Sequence, residues 1–274
     1  KDVRIGLVTL WSHVERKIMK KLLGIVVLSL LWCNVGFAAS YVFKDGLYTD
    51  CDILTKKDPT SFQKLSFLKE KKITFWDRRK QKSSGWAQSN FKAFIFKAEF
   101  EKSKDVLIRV NSEFKTKDKA EKKALKYGKM VGQLPNFLKE NIVTVTIHKG
   151  NKPWGGGNRD ILIHTGDTGA KGKCGEEVML HEAGHTSLDH SNGGSVEKYP
   201  WEKSAKADGK FISKYAKDFP KREDIAETIN WWIAVRCKPD TISESNYNKI
   251  IEAIPNRLKY LDEKNYDTYP LICK

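Results

Sequence analysis

The string His181-Glu182-Ala183-Gly184-His185 constrains this chain more than any other feature of its sequence. Residues four positions apart share one face of an α-helix, so both imidazoles can reach one cation while Glu182 points toward a water molecule beside it. This arrangement is typical of zinc sites that activate water for hydrolysis. The alternative is a chance pair on a polar helix, and the complete string arises by chance in only about one per cent of sequences of this length.

The residues around this string favour a helix. Apolar side chains lead into it at Val178, Met179 and Leu180, and acidic residues occupy 176–177, where a helix N-terminus favours them. Helix-ending residues follow at 189–194. We therefore expect a metal-binding helix here.

A catalytic zinc site needs a third protein ligand and one open position. His190 does not fit the metzincin pattern, which requires a glycine three residues and a ligand six residues beyond the second histidine. This chain has Leu188 and Ser191 at those positions. Asp189 ends the same helix, and it is better placed to accept a hydrogen bond from a ligand imidazole than to reach the metal.

Two further carboxylates follow Pro220. The segment 221–228 is typical of the first turn of a second helix, and it carries Glu223 and Glu227 four residues apart. One of these two can bind the metal while the other orients a histidine.

The string at 181–185, together with Glu223-Asp224-Ile225-Ala226-Glu227, resembles the gluzincin metallopeptidases. The resemblance is closest to the lethal-factor-like group, whose pattern is H-E-x-x-H, then a tyrosine, then E-x-x-A-E, and it covers roughly residues 161–235. It implies a Zn²⁺ ion held by His181, His185 and Glu223. It also implies Glu182 as general base, Glu227 and Asp189 behind the ligands, and Tyr215 as a donor to the oxyanion. For Tyr215 the alternative is an ordinary half-buried tyrosine beside Phe211 and Ile212.

The N-terminal residues predict export. Lys20 and Lys21 precede the apolar run 22–32, and small residues lead to a cleavage position after Ala38. We expect translation to start at Met19, residues 1–38 to be upstream sequence and signal peptide, and the mature protein to be periplasmic or secreted without stable membrane insertion. An uncleaved anchor is the alternative, although the run is short for a membrane span.

Cysteine usage supports an oxidising compartment. Four cysteines follow the expected signal, namely Cys51, Cys174, Cys237 and Cys273. They predict two disulfides with three possible pairings. A zinc site built from cysteines is the competing hypothesis, but the sequence has no C-x-x-C pair.

Hydrophobic periodicity predicts one domain over 39–274, with N-terminal strands and a helix at 39–140 and the metal-binding core at 141–274. Strands are expected at 73–76, 93–100, 106–110, 142–148 and 161–164. Helices are expected after Thr116, at 181–185, and at 201–208, 222–237, 243–254 and 255–260. The expected fold is an α+β zincin-like domain, with a mixed sheet, the metal helix beneath an edge strand, and a helical C-terminal half that supplies Glu223.

In zincins the strand before the metal helix often forms the edge on which an extended substrate pairs, so the resemblance implies this role for 161–164. Trp154-Gly155-Gly156-Gly157 then allows close approach of another backbone and a Trp-floored pocket. A plain flexible turn is the alternative. His164 is a candidate for the cleft lining, with an ordinary half-exposed strand histidine as the alternative. Trp231-Trp232 is expected to form core and cleft wall. The glycine-rich stretch matches neither phosphate-binding fingerprint.

The formal net charge is +16, of which residues 1–38 contribute +4. The remaining +12 favours acidic peptides, anionic polymers or membrane headgroups as partners, or reflects a lysine-rich composition without functional meaning. No run of basic residues interleaved with aromatics indicates a nucleic-acid surface, so we expect no nucleic-acid partner. The sequence indicates no particular oligomeric state.

Two functions remain. The first is a zinc endopeptidase acting on a peptide or protein substrate. The second is a non-catalytic, metal-containing binding protein on a zincin scaffold. Glu182 favours the first, because a purely structural metal site does not need that carboxylate.

Overall fold

A computed structural model of the protein describes residues 40–44, 51–80, 88–167 and 174–273. The expected signal peptide at 1–38 lies outside the described residues, and residues 39–274 cluster as one unit. The architecture is α+β with a mixed sheet, as predicted.

Six strands form the main sheet in the described part of the chain. They are β2 (Phe62–Trp76), β3 (Gln88–Phe100), β4 (Val106–Asn111), β5 (Thr144–His148), β6 (Gly155–Gly157) and β7 (Asp160–His164). Their order in the sheet is β2-β3-β4-β5-β7-β6. Neighbours β2, β3 and β4 are antiparallel, β4, β5 and β7 are parallel, and β6 runs antiparallel to β7. A separate parallel pair joins β1 (Ser40–Phe43) to β8 (Lys210–Ser213).

The edge strand beside the metal helix is β6, so the prediction that 161–164 forms this edge was wrong. Strand β7 has neighbours on both sides, because Asn158 and Arg159 turn the chain back with φ angles of 50° and 61°. Positive φ at both central residues is the signature of a two-residue hairpin turn. Three glycines have low strand propensity and no side chains to alternate, which is why the pattern did not reveal β6.

The two faces of the sheet differ in polarity. Ile161 and Ile163 of β7 face the apolar core, where the helices pack. On the other face, Arg109 donates to Asp160 at 2.7 Å, and its guanidinium carbon lies 4.3 Å from the centre of the Phe75 ring. The end of strand β2, at Phe75, therefore covers the face of the sheet opposite the helices.

Eight helices complete the described part of the chain. Thr116 caps the first by accepting a hydrogen bond from the Lys119 backbone, and the side chains of Ala120, Ala124, Tyr127 and Val131 on this helix are buried. The eight α-helices are α1 (Lys117–Gln133), α2 (Asn136–Lys139), α3 (Gly175–Ser187), α4 (Lys198–Asp208), α5 (Lys214–Asp218), α6 (Asp224–Cys237), α7 (Glu244–Ala253) and α8 (Pro255–Asp262). None of the helices in the described ranges is long and apolar enough to span a bilayer.

Two disulfides form, as predicted, and the structure selects one of the three pairings. Cys51 is bonded to Cys174, the residue that precedes α3, and Cys237 at the end of α6 is bonded to Cys273. The first bridge joins residues 123 positions apart, so it ties the start of the metal helix to the beginning of the described domain. Such bridges are typical of proteins from oxidising compartments.

Candidate metal centre

Three donor atoms from α3 and the start of α6 converge at one point. His181 Nε2 lies 3.1 Å from His185 Nε2, and Glu223 Oε2 lies 3.4 Å and 3.0 Å from these two nitrogens. Ligands about 2.1 Å from a tetrahedral zinc ion lie about 3.4 Å from one another. Two imidazoles and one glutamate are also a donor set of catalytic zinc sites. The residues present therefore fit a zinc ion.

Close packing of two helices brings Glu223 to the histidines. A Cβ built on Gly184 would lie 3.1 Å from Ile229 Cγ2 and 3.3 Å from Ala226 Cα, so the glycine inside the histidine string permits α3 and α6 to approach. Glu223 itself occupies the cap position before α6, where its carbonyl accepts a hydrogen bond from the Glu227 backbone at 2.8 Å.

A carboxylate lies behind each imidazole. Glu227 Oε1 is 3.7 Å from His181 Nδ1, and Asp189 Oδ2 is 4.0 Å from His185 Nδ1. Both carboxylates are buried, and Asp189 also accepts hydrogen bonds from the backbone and hydroxyl of Ser191. The outer nitrogen of each histidine thus faces an acid, which leaves the Nε2 atoms directed at the common point. These are the positions that the sequence predicts for Glu227 and Asp189.

The electrostatics of the cluster favour positive charge. Burial alone would raise the pKa of Glu223, yet its contacts with His181 and His185 hold that pKa well below its usual range. Burial likewise opposes ionisation of His185, yet Asp189 and Glu223 raise the pKa of His185 to about 10. The point between these side chains is therefore suited to a cation.

Glu182 faces the same cavity without joining the three donors. The cavity has a volume of about 710 Å³ and is open to solvent, and Glu182, His181, His185 and Glu223 all line it. Thr186 donates a hydrogen bond to the Glu182 carbonyl at 2.8 Å and so holds this turn of α3. An acid adjacent to a metal site but not among its ligands is placed to accept a proton from water.

Tyr215 lies at the rim of this cavity on α5. Its hydroxyl donates a hydrogen bond to Glu223 Oε1 at 3.1 Å, and its ring is 40% exposed and packs against Phe219. Burial and the neighbouring Glu223 raise the pKa of Tyr215 to about 12, so the hydroxyl keeps its proton at neutral pH. The side chain is therefore a neutral donor beside the cluster.

Sequence reasoning missed Arg78, which lines the cavity together with Gly156 of the predicted glycine-rich stretch. Arg78 Nη1 donates to the carbonyls of Pro153 and Trp154, so it holds the segment that enters β6. Its position depends on the bend of the β2–β3 hairpin, which leaves no local signal in the sequence.

Three side chains expected near the cleft lie outside the lining of this cavity. His164 is fully buried and stacks on His148 at 5.6 Å. Trp231 stacks on Phe43, and Trp232 donates to Asp262 at 2.8 Å. Trp231 and Trp232 belong to the core, as predicted, but the cleft-wall role predicted for them and the cleft-lining role considered for His164 were wrong, because these side chains pack inside the protein. Trp154, by contrast, does line the cavity, as expected.

Comparison of the chain with models of known protein families, with curated proteins and with solved structures finds no match in any of the three.

Proposed function

We propose that this protein is a zinc-dependent endopeptidase of the periplasm or the extracellular space, which hydrolyses peptide bonds in peptide or protein substrates. One observation carries the proposal. Glu182 shares an open cavity with three convergent donor atoms and is not itself one of them. The resemblance to the gluzincins and the two disulfides support the activity and the compartment, respectively.

His181, His185 and Glu223 would hold the metal. A zinc ion bound there lowers the pKa of water and polarises a carbonyl group. Glu182 accepts one proton as the water oxygen attacks the peptide carbon, and it passes that proton to the amine nitrogen as the C–N bond breaks. Tyr215 donates a hydrogen bond to the carbonyl oxygen as negative charge develops on it.

Strand β6 provides a place for the substrate backbone. It has one strand neighbour, β7, in the described sheet, so its other edge is unpaired. Gly156 lines the cavity at this edge. An extended peptide laid along β6 would continue the sheet and pass beside Glu182.

The test compares wild type with Glu182→Gln on denatured β-casein, with cleavage products identified by mass spectrometry and zinc measured by elemental analysis. We expect the variant to keep its zinc and to lose activity by a factor on the order of 10² to 10⁴. Glu252→Gln, on the exposed side of α7, is the matched control and should cleave at the wild-type rate.

If wild type and Glu182→Gln bind one zinc per chain and neither cleaves casein, the endopeptidase proposal is wrong. The non-catalytic, metal-containing binding protein then takes its place.

A further inference from the structure

A second cavity lies beside strand β6, next to the proposed catalytic cavity. Its volume is about 250 Å³, and the two cavities share Arg78 and Gly156 in their linings. Ligand pockets for drug-sized molecules start at about 300 Å³, so this cavity has the size for one side chain.

The walls of the second cavity come from distant parts of the chain. Phe75 and Trp76 end strand β2 and form one wall, while the glycines of β6 and Leu162 of β7 form another. Strands β2 and β6 lie at opposite edges of the sheet, so the end of the β2–β3 hairpin reaches across the sheet face. Trp76 is 39% exposed, which leaves ring surface available to a ligand.

Two of the three polar side chains in the lining are hydrogen-bonded within the protein. Asp160 accepts hydrogen bonds from Arg109 at 2.7 Å and Thr146 at 2.9 Å, and Arg78 donates to the Pro153 carbonyl at 2.9 Å. The third, Asn158, is exposed, and the aromatic rings, Leu162 and the glycines of β6 supply the remaining surface. A polar side chain placed there would lose hydrogen bonds to water, whereas an apolar one would gain by burial.

Because the two cavities adjoin at strand β6, a peptide bound along β6 can place side chains in both of them. Side chains of an added strand alternate between the two faces of a sheet. When one residue of a bound peptide points toward α3 and the donor cluster, its neighbour points toward the face that Phe75 covers.

We infer that the cavity between Trp76 and strand β6 selects a large apolar side chain, such as Phe or Leu, from a substrate bound along β6. The inference rests on the proposed function and names its substrate class. Trp76 is then a specificity-determining residue, and the favoured side chain lies beside the residue that faces the donor cluster.

The test starts from a cleavage site that wild type makes in denatured β-casein. Synthetic decapeptides of that site carry Phe, Leu, Lys, Gly or Asp at each position around the cleaved bond. We expect one position at which Phe and Leu raise kcat/KM by about tenfold over Gly and Asp. Trp76→Ala should reduce this ratio to about one, while the Gly peptide is cleaved at nearly the wild-type rate.

Leu68→Ala is the matched control, because Leu68 is 47% exposed on the same strand and lies outside the lining of the cavity. It should keep the wild-type preference. Trp76→Glu is a second variant, which should reverse the preference toward Lys at the same position. Retention of the Phe-to-Gly ratio in Trp76→Ala, or a wild-type preference for Asp, overturns the inference.

A binding measurement separates this inference from the proposed function. Fluorescein-labelled Phe and Gly decapeptides are titrated with Glu182→Gln, with and without Trp76→Ala, and fluorescence anisotropy gives Kd. Tighter binding of the Phe peptide that disappears with Trp76 supports the subsite even if no peptide is cleaved. If wild type cleaves the peptides but the Phe and Gly peptides bind Glu182→Gln with equal Kd values, the subsite is rejected and the proposed function stands.

Discussion

Gly156 of the edge strand packs directly against the backbone of Glu182 in α3. A Cβ on Gly156 would overlap the carbonyl oxygen and carbon of Glu182, so only glycine permits this approach. The contact fixes the distance between the substrate edge and the proposed general base.

Replacement of Gly156 by Ala should therefore reduce kcat/KM by at least about 100-fold, because a displacement of about 1 Å near the reacting groups has an effect of this size. Zinc content should stay at the wild-type level, because α3 is packed against α6 at Gly184 and the short edge strand β6 is the element expected to shift. Gly209→Ala is the control, because its Cβ meets no atom within 4 Å and only its φ of 62° opposes the change. That variant should lose about 1–2 kcal/mol of unfolding free energy and keep its activity.

Zinc content should distinguish the three proposed metal ligands from the carboxylates that lie behind them. His185→Ala and Glu223→Ala remove donors and should leave the purified protein without stoichiometric zinc. Glu227→Gln should weaken zinc affinity by about 10- to 100-fold, as expected for an acid behind a ligand. His190→Ala is the matched control, since His190 is outside the donor cluster. If Glu223→Ala keeps its zinc while Glu227→Ala or Asp189→Ala releases it, the third ligand is wrongly assigned.

Tyr215→Phe should lower kcat by about 10²- to 10³-fold and change KM little, because a donor to the oxyanion acts mainly in the transition state. Zinc stoichiometry should not change. Tyr199→Phe, which alters a ring that is 83% exposed on α4, should have wild-type kinetics. A wild-type kcat in Tyr215→Phe would show that Tyr215 is an ordinary, partly exposed tyrosine without a role in catalysis.

The buried pair His148 and His164 should make the protein sensitive to acid. Burial lowers the pKa of each to about 4, and the nearby Arg79 acts in the same direction. The unfolded chain takes up protons on these groups below about pH 6.5, whereas the folded protein does not until about pH 4. Their contribution is therefore fully present above pH 6.5 and is lost as the pH falls toward 4, by up to about 3 kcal/mol for each histidine.

Urea unfolding of wild type and His164→Gln at pH 7.0, 5.5 and 4.5 checks this expectation. The difference between the two unfolding free energies should shrink as the pH falls, because the variant lacks one of the groups that must stay neutral. His190→Gln should track wild type, since that ring is partly exposed. A constant difference across the three pH values would show that His164 does not titrate on unfolding in this range.

Much of the site was accessible from the sequence, because its parts follow helical spacing. His181 and His185 are one turn apart, and Glu223 and Glu227 repeat that spacing, so each pair could be placed on one helix face, while the choice of Glu223 as third ligand came from the resemblance to the gluzincins. Helical spacing of apolar residues also predicted α1, and alternation of apolar and polar residues predicted most strands.

The remaining parts depend on tertiary contacts. Strand β2 begins at Phe62 rather than at 73, because residues 62–72 are largely exposed and carry no clear alternation. Arg78 reaches the cavity only through the bend of its hairpin. Gly156 offers no side chain, and its role appears only once α3 lies beneath it.

The β2–β3 hairpin starts at one edge of the sheet, and its end lies beside β6 at the other. The imidazoles come from α3, so the hairpin end can change without altering their spacing. Under the proposed function, the catalytic residues and the residues that select the substrate side chain therefore come from separate stretches of the chain, and substitutions at 75–76 are expected to change the preferred substrate while the reaction stays the same.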